Sequence, residues 1–253
     1  MNYPKKIDIA LEKIKETTST NDYLAQLCKE GKAKEFYTVI AESQTHGKGQ
    51  RGNTWEAESG KNLLLSIVLY PTALEAKKQF IISMLAALSC HEALGNYTDG
   101  FTIKWPNDIY WQDKKIGGIL IENELEGKYI TQSIIGIGLN VNQEIFHSDA
   151  PNPVSLKQII GAEFDIQELM MKVVHGIIGG YRQLEANFEF TQQAIGTLYR
   201  KHLYRHKGLF PYRDAHGDFL AEYQEVEPDG HLILKDEQGT LRRYAFKEVS
   251  FVL

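Results

Sequence analysis

Cysteines and long apolar runs are scarce in this chain. Only two cysteines occur in 253 residues, Cys28 and Cys90, and both lie in segments whose spacing predicts apolar helix faces. We therefore expect free thiols, not a disulfide or a nucleophile. No apolar run approaches the roughly 20 residues of a membrane helix, and residues 1–14 lack the apolar region of a secretion signal. We expect a cytoplasmic protein that does not bind membranes.

The chain also lacks an excess of positive charge and several common catalytic motifs. It has 28 lysines and arginines against 33 aspartates and glutamates, for a net charge of −5. Because nucleic-acid binding usually needs a basic face, we expect no nucleic-acid partner, while a local basic pocket for a small anion stays compatible with this balance. The phosphate-binding G-x-x-x-x-G-K-[ST] loop, the dinucleotide-binding G-x-G-x-x-G and the hydrolase G-x-S-x-G are all missing. The eight histidines show no metal-ligand spacing.

The distribution of apolar residues predicts an α+β fold. Strand-like segments are grouped between residues 36 and 142, and hairpin-sized links favour antiparallel pairing. Helical patterns at 19–31, 74–94 and 155–203 surround them, so we expect a mixed, largely antiparallel sheet covered by helices. From about residue 205, five short strands alternate with the turns AHGD, PDG and EQG, which predicts a small β-barrel.

The first polar segment of interest is the loop GKGQRGNTWE at residues 47–56. Glycines let backbone N–H groups approach a ligand closely, and Lys48 and Arg51 add positive charge to the same loop. The combination predicts a flexible cradle for a phosphate or a carboxylate. The competing interpretation is an ordinary disordered hairpin loop.

The second segment is KWPNDIYWQDKKIGGILIE, at residues 104–122. Pro106 restrains the residue before it to an extended conformation, so Lys104 and Asp108 flank a rigid corner between two strands. Lys115 begins the next strand, shortly before two glycines where a ligand can lie against bare backbone. A charged hairpin with a glycine bulge is the alternative.

Two further segments carry polar groups beside glycines or at a helix start. GIGLNVN, at residues 136–142, places two glycines inside a strand, which predicts either a flat ligand ring against the sheet or a β-bulge. Ser19, Thr20 and Asn21 either cap a helix or hydrogen-bond a polar ligand. These residues alone leave both pairs of alternatives open.

Together, STN, QTHGKGQRGNTW, KWPNDIYWQDKKIGGILIE and GIGLNVN resemble the biotin–protein ligases (biotin–[acetyl-CoA-carboxylase] ligases), from about residue 14 to 142. The C-terminal strands resemble the SH3-like domain of that family. The resemblance implies a class II aminoacyl-tRNA synthetase-like catalytic domain at 1–200 and an SH3-like domain at 205–253. Since only some eighteen residues precede the catalytic segment, we expect the monofunctional type without a DNA-binding domain.

The resemblance also implies a two-step reaction. Biotin and MgATP give biotinyl-5′-AMP and pyrophosphate, and a lysine of a biotin carboxyl carrier domain then takes the biotin and releases AMP. Mg²⁺ is expected with ATP and not at a fixed metal site, and the enzyme is expected to be a monomer or a homodimer.

The site residues that the resemblance implies fall into three groups. The expected catalytic residues are Lys115, Asp108, Arg51 and Lys104. Because the acceptor amine must lose a proton, we take Asp108 as the candidate that orients or deprotonates it, with Lys104 as its candidate partner. The expected biotin-binding residues are Ser19, Thr20, Asn21, Gln44, Gly47, Lys48, Gly49, Gln50, Lys115, Gly118 and Gly136. The expected nucleotide-binding residues are Lys48, Arg51, Trp55, Asn107, Lys115, Gly138 and Asn140.

One departure and two rival functions accompany this interpretation. Many relatives have arginines where this loop has Lys48 and Gln50, so we hypothesise that Arg51 takes over the anion contact. A lipoate–protein ligase shares the fold and the acyl-adenylate chemistry. A non-catalytic biotin-binding module is the alternative from another class, against which intact Lys115 and Asp108 argue.

Overall fold

The computed structural model of the protein describes residues 9–148 and 152–252, and it describes Arg51 by its backbone only. Two β-sheets and five α-helices account for the architecture of these residues. The role expected for the Arg51 side chain and the interpretation of the first eight residues lie outside what is described. Within the described ranges, none of the helices combines the length and apolar character of a membrane-spanning segment.

The central sheet has seven strands in the order β1-β2-β3-β7-β6-β5-β4. Only β1 and β2 run parallel, and every other neighbouring pair is antiparallel. This confirms the prediction of a mixed, largely antiparallel sheet. The strands are β1 (Leu11–Thr17), β2 (Thr38–Gln44), β3 (Leu63–Leu69), β4 (Phe101–Lys104), β5 (Asp108–Trp111), β6 (Lys114–Glu126) and β7 (Tyr129–Leu139).

Strand β1 was not predicted from the sequence. Its residues, LEKIKET, are half-buried or exposed, and four of the seven are charged. Charged residues are typical of an edge strand, where they oppose pairing with other chains, but they weaken the apolar alternation by which a strand is recognised.

Helices cover both faces of the central sheet. Helix α1 (Thr20–Lys29) packs on one face, where Leu24 meets Val39 and Val68 in a small apolar cluster. The other face carries α2 (Phe80–Gly95), α4 (Ile166–Ala186) and α5 (Phe188–His202) over the main core, and α3 (Leu156–Ile160) is a short turn beyond β7. The face with α1 leaves part of the sheet uncovered, and the candidate site lies there.

The second sheet is antiparallel, in the order β11-β10-β9-β8-β12, and is consistent with the predicted SH3-like barrel. Its buried residues, such as Tyr212 and Leu234, belong to the same apolar cluster as the central sheet. The indole Nε1 of Trp105 donates a hydrogen bond to the carbonyl oxygen of Gly230 at 3.0 Å, which attaches the barrel to the 104–108 corner. The strands are β8 (Phe210–Asp214), β9 (Gly217–Val226), β10 (Leu232–Asp236), β11 (Leu241–Tyr244) and β12 (Ser250–Phe251).

Candidate active site

A cavity of about 910 Å³ opens over the strands that carry the internal glycines. Ligand pockets span about 300–1,000 Å³, so this volume suits a small molecule together with a nucleotide. Most of the side chains and glycines predicted from the sequence meet here. Those that line the cavity are Ser19, Thr20, Asn21, Gln44, Lys48, Gly49, Gln50, Trp55, Lys104, Asn107, Asp108, Lys115, Gly118, Gly136 and Gly138.

Lys115 and Asp108 form an ion pair at the cavity wall. The antiparallel register of β5 and β6 places Asp108 opposite Gly118, and the Lys115 Nζ reaches the Asp108 Oδ1 at 2.7 Å. Their side chains are only 24% and 22% exposed. Among the described residues that line this cavity, Asp108 is the only carboxylate. The pair therefore combines a cation for an anionic substrate with one group able to accept a proton.

Lys104 does not form the expected pair with Asp108. Its Nζ donates to the Tyr110 hydroxyl at 3.0 Å and lies over the rings of Tyr110 and Phe251, at 4.5 and 5.2 Å from their centroids. The prediction of a Lys104–Asp108 pair was wrong, because the Lys104 ammonium contacts the two aromatic rings and the Asp108 carboxylate pairs with Lys115. Burial lowers the pKa of Lys104 from its usual range.

The STN residues begin α1 and connect with β2 and β3. The Oε1 atom of Gln44 accepts the Thr20 backbone N–H at 2.7 Å. The Ser66 hydroxyl, fully buried on β3, lies 2.7 Å from the Thr20 hydroxyl and 2.6 Å from the Asn21 Oδ1. Ser19 occupies the helix N-cap position, but its side chain makes no capping hydrogen bond. Sequence reasoning missed Ser66, since no local motif surrounds it.

The glycine-rich loop folds onto the site as a small closed turn. The Trp55 N–H donates to the Gly47 carbonyl at 2.8 Å, and the Gly49 N–H donates to the Asn53 carbonyl at 2.7 Å. Lys48 forms an ion pair with Asp22 of α1 at 2.5 Å, and this hydrogen bond raises the pKa of Lys48. Gly47 does not line this cavity but a second one of about 630 Å³, which shares several loop residues with the first.

The indole of Trp55 lies against the bare backbone of two glycines. A Cβ atom added at Gly138 would lie 2.5 Å from the Trp55 Cε2, and one added at Gly118 would lie 3.3 Å from its Cζ3. The flat ring that covers Gly138 in this structure is therefore the protein's own. At Gly136, the space that a Cβ would need is filled by the Asn21 amide, 2.3 Å away.

Two of the predicted asparagines hold backbone segments in place. Asn107 donates through Nδ2 to the Ile119 carbonyl at 2.6 Å and lines the cavity. Asn140 is 4% exposed, donates to the Val154 carbonyl at 3.1 Å and does not line the cavity.

The C-terminal barrel contributes a wall that sequence reasoning did not locate. Phe246, Lys247, Val249, Ser250 and Phe251 all line the first cavity. They lie far along the chain from the polar loops and the strand glycines and have no motif of their own, so only the packing of the barrel brings them to the site.

Potential metal ligands cluster elsewhere in the barrel. In the part of the chain that the structure describes, the only group of three such side chains is Glu227, Asp229 and His231. Arg243 already pairs with Glu227 at 2.6 Å and with Asp229 at 2.9 Å. None of the three lines the cavity.

Comparisons with known proteins point in one direction. A model of the biotin/lipoate A/B protein ligase family matches residues 14–140. The bifunctional ligase/repressor BirA of Bacillus subtilis is 30% identical over 230 residues, which cover 84% of this chain and 66% of the relative. The biotin–[acetyl-CoA-carboxylase] ligase of Paracoccus denitrificans is 33% identical over 141 residues, covering 52% of this chain and 57% of that protein. The chain thus spans just under two thirds of the length of the Bacillus relative.

A solved structure matches almost the whole chain. It is the biotin protein ligase from Aquifex aeolicus in complex with biotin and ATP, which superposes with a TM-score of 0.77 at 26% identity. The match covers 95% of this chain and 97% of that one. The similarity therefore includes both sheets.

Proposed function

The chain belongs to the biotin/lipoate A/B protein ligase family, and we propose that it is an ATP-dependent biotin–protein ligase. It activates biotin to biotinyl-5′-AMP with release of pyrophosphate. It then transfers biotin to one lysine of a biotin carboxyl carrier domain and releases AMP. We assign catalysis to residues 1–200 and a covering role to the barrel at 205–253, in a cytoplasmic protein.

In the first step the carboxylate oxygen of biotin attacks the α-phosphorus of ATP, and the bond to the pyrophosphate leaving group breaks. Mg²⁺ enters as part of the nucleotide substrate. Two anions must approach each other, so catalysis consists mainly of positioning and of positive charge at the reacting atoms. Lys115 supplies that charge from the cavity wall, and Asp108 holds its ammonium in place at 2.7 Å. The glycine-rich loop and Trp55 exclude water from the adenylate.

In the second step the acceptor amine attacks the acyl carbon of the mixed anhydride, and AMP leaves. The amine has to lose a proton to form the amide. Asp108 accepts or orients that proton, since it is the only carboxylate of the described residues that line the cavity. The name of the Paracoccus relative supports a carboxylase carrier domain as the acceptor.

The observation that carries this proposal is the position of Lys115. Its Nζ lies 2.7 Å from the Asp108 carboxylate and 5.8 Å from the centroid of the Trp55 ring, in a cavity that the STN residues, the strand glycines and the barrel also line. The pair combines a cation for the reacting anions with the only carboxylate among the described lining residues, which favours catalysis over binding alone.

Lipoate–protein ligase is the second candidate, because the family model includes lipoate ligases. The named relatives and the Aquifex complex favour biotin. The test is ATP–pyrophosphate exchange with the purified protein, offered biotin and lipoate separately. We expect exchange with biotin only, followed by labelling of a carrier domain. Exchange with lipoate alone, or with neither acid, would overturn the proposal.

A further inference from the structure

The barrel places a lysine at the wall of the first cavity in a backbone conformation that lysine rarely adopts. Lys247 has a φ of 74° and lies in the turn 245–248, which the Glu248 N–H closes by donating to the Ala245 carbonyl at 3.1 Å. Turns with a positive φ at their third position favour glycine or asparagine there. A lysine strains this turn, and strained residues that persist beside a cavity point to a role for their side chains.

The Lys247 ammonium makes no ion pair and no hydrogen bond with any residue that the structure describes. The adjacent Glu248 carboxylate is not its partner and accepts the Ala245 N–H at 2.7 Å instead. The other three described lysines that line the cavity all have a partner: Lys48 pairs with Asp22, Lys104 donates to Tyr110 and Lys115 pairs with Asp108. Lys247 therefore offers the cavity a cation whose donors are all unused.

The turn of Lys247 is packed against the corner that carries Asp108. The ring of Phe246 meets the indole of Trp105 edge-on, with 6.2 Å between the ring centroids. Asp108 follows three residues after Trp105 and pairs with Lys115. The backbone of Lys247 is therefore held in place relative to Lys115, while its long, exposed side chain can adjust to a ligand.

The chemistry of the reactants selects the ligand of Lys247. In the proposed reaction the biotin carboxylate and the α-phosphate meet at Lys115, and adenine carries no charge. The acceptor amine is a cation before it loses its proton, so Lys247 would repel it. The β- and γ-phosphates of ATP remain, and they keep a net negative charge even with bound Mg²⁺. Lys247 is the only charged barrel residue among the described ones that line the cavity, and an ammonium is a common phosphate ligand.

We propose that Lys247 binds the β- and γ-phosphates of ATP and thereby makes the barrel part of the nucleotide site. This inference rests on the proposed function, because it concerns the leaving group of the same reaction. The contact serves the binding of ATP and of pyrophosphate. It leaves the binding of biotin and of AMP unaffected, since neither contains these two phosphates.

The variant Lys247→Gly tests the proposal by two readouts that a purely structural lysine would not separate. Glycine adopts a positive φ without strain, so the unfolding temperature should not fall. In calorimetric titrations the Kd for MgATP should rise about tenfold, as expected for the loss of one hydrogen bond to a charged group, while the Kd for AMP stays unchanged. In ATP–pyrophosphate exchange, KM for pyrophosphate should rise and KM for biotin should not. Lys247→Arg keeps the charge and should keep the wild-type Kd for MgATP.

Gln112→Gly is the control for the backbone, because Gln112 has a φ of 50° in an exposed turn and does not line the cavity. It should leave all these constants unchanged. Equal Kd values for MgATP in the wild type and in Lys247→Gly would overturn the proposal. So would an equal rise in the Kd for AMP, or a rise in KM for the carrier domain alone.

The titrations also separate this inference from the proposed function. A wild-type protein that binds MgATP but shows no biotin-dependent exchange would remove the proposed function, and the Kd for MgATP in Lys247→Gly would still decide the role of this lysine. A wild-type protein that binds no MgATP would overturn both.

Discussion

The Lys115 ammonium and the Asp108 carboxylate lie 2.7 Å apart across neighbouring strands, in the cavity that the polar loops and the strand glycines line. Each partner is about three quarters buried, which strengthens the interaction relative to an exposed pair. The pair holds a cation ready for an incoming anion. Substitutions of the two residues should nevertheless impair different steps of the reaction.

Replacing Lys115 by methionine should remove the first step. The variant keeps most of the length of the side chain but loses the charge that we assign to the α-phosphate, and removal of one such group costs about 10²–10³-fold in rate. Biotin-dependent pyrophosphate release measures the effect. Lys114→Met is the matched control, since Lys114 is the exposed neighbour and does not line the cavity. Equal rates in the two variants would take Lys115 out of its assigned role.

Asp108→Asn should slow the transfer more than the activation. An asparagine cannot accept a proton, and the loss of a general base costs about 10²–10⁴-fold. Single-turnover transfer from preformed adenylate to a carrier domain measures this step by itself. The defect should become smaller as pH rises, because more of the acceptor amine is then deprotonated by solvent. A uniform slowing of both steps, independent of pH, would speak against this role.

Gly47→Ala should open the glycine-rich loop. A Cβ atom at Gly47 would lie 2.5 Å from the carbonyl oxygen of Trp55, beside the backbone hydrogen bond that closes the loop. We expect faster proteolysis within residues 47–56 and faster escape of the adenylate. Gly95→Ala is the control, because nothing lies within 4 Å of the added atom there. An intact loop and normal retention in Gly47→Ala would contradict the observed closure.

Two adjacent histidines, whose rings are tilted against each other, should make the fold sensitive to acid. The rings of His91 and His202 lie 4.1 Å apart between centroids, and burial, followed by the charge of His202, lowers the pKa of His91. Burial, followed by Lys201, lowers the pKa of His202. At mildly acidic pH the unfolded chain therefore binds more protons than the folded chain. The contribution of the two histidines to the free energy of unfolding should be at its maximum above about pH 6.5. It should decrease as the pH drops from there toward the folded pKa values.

The variant His202→Phe tests this sensitivity, because it keeps a ring beside His91 but removes one of the two titrating groups. Urea unfolding at about pH 7.5 and about pH 5.5 should show a smaller loss in the variant than in the wild-type protein. The same loss in both proteins would show that other groups are responsible.

The sequence predicted those parts of the site whose chemistry is local. The glycine-rich loop, the corner at Asp108 and the glycines of β6 and β7 are each visible within a few residues, because close backbone approach requires glycine and anion binding requires cations. The central sheet and the barrel were predicted for a similar reason, from apolar alternation and turn residues. The charged edge strand β1 lacks that alternation and was missed.

What the sequence did not predict depends on register and packing. Ser66 faces Asn21 only because β3 pairs Ser66 with Gly136 on β7, and Glu122 reaches Asn21 across about a hundred residues of chain. The contact of Trp55 with Gly138 and the barrel wall at Phe251 arise in the same way. The preference of Lys104 for Tyr110 over Asp108 reflects two aromatic neighbours, one of them from the barrel.

The central claim is that one cavity joins biotin to the nucleotide with the help of Lys115. Mixing the purified protein with biotin and MgATP, separating the bound fraction and identifying its contents by mass spectrometry tests this claim most directly. We predict one biotinyl-5′-AMP per protein chain in the wild type and, after the same short incubation, a level about 10²–10³-fold lower in Lys115→Met. Bound biotin with intact ATP in the wild type, or equal adenylate in both proteins, would contradict it.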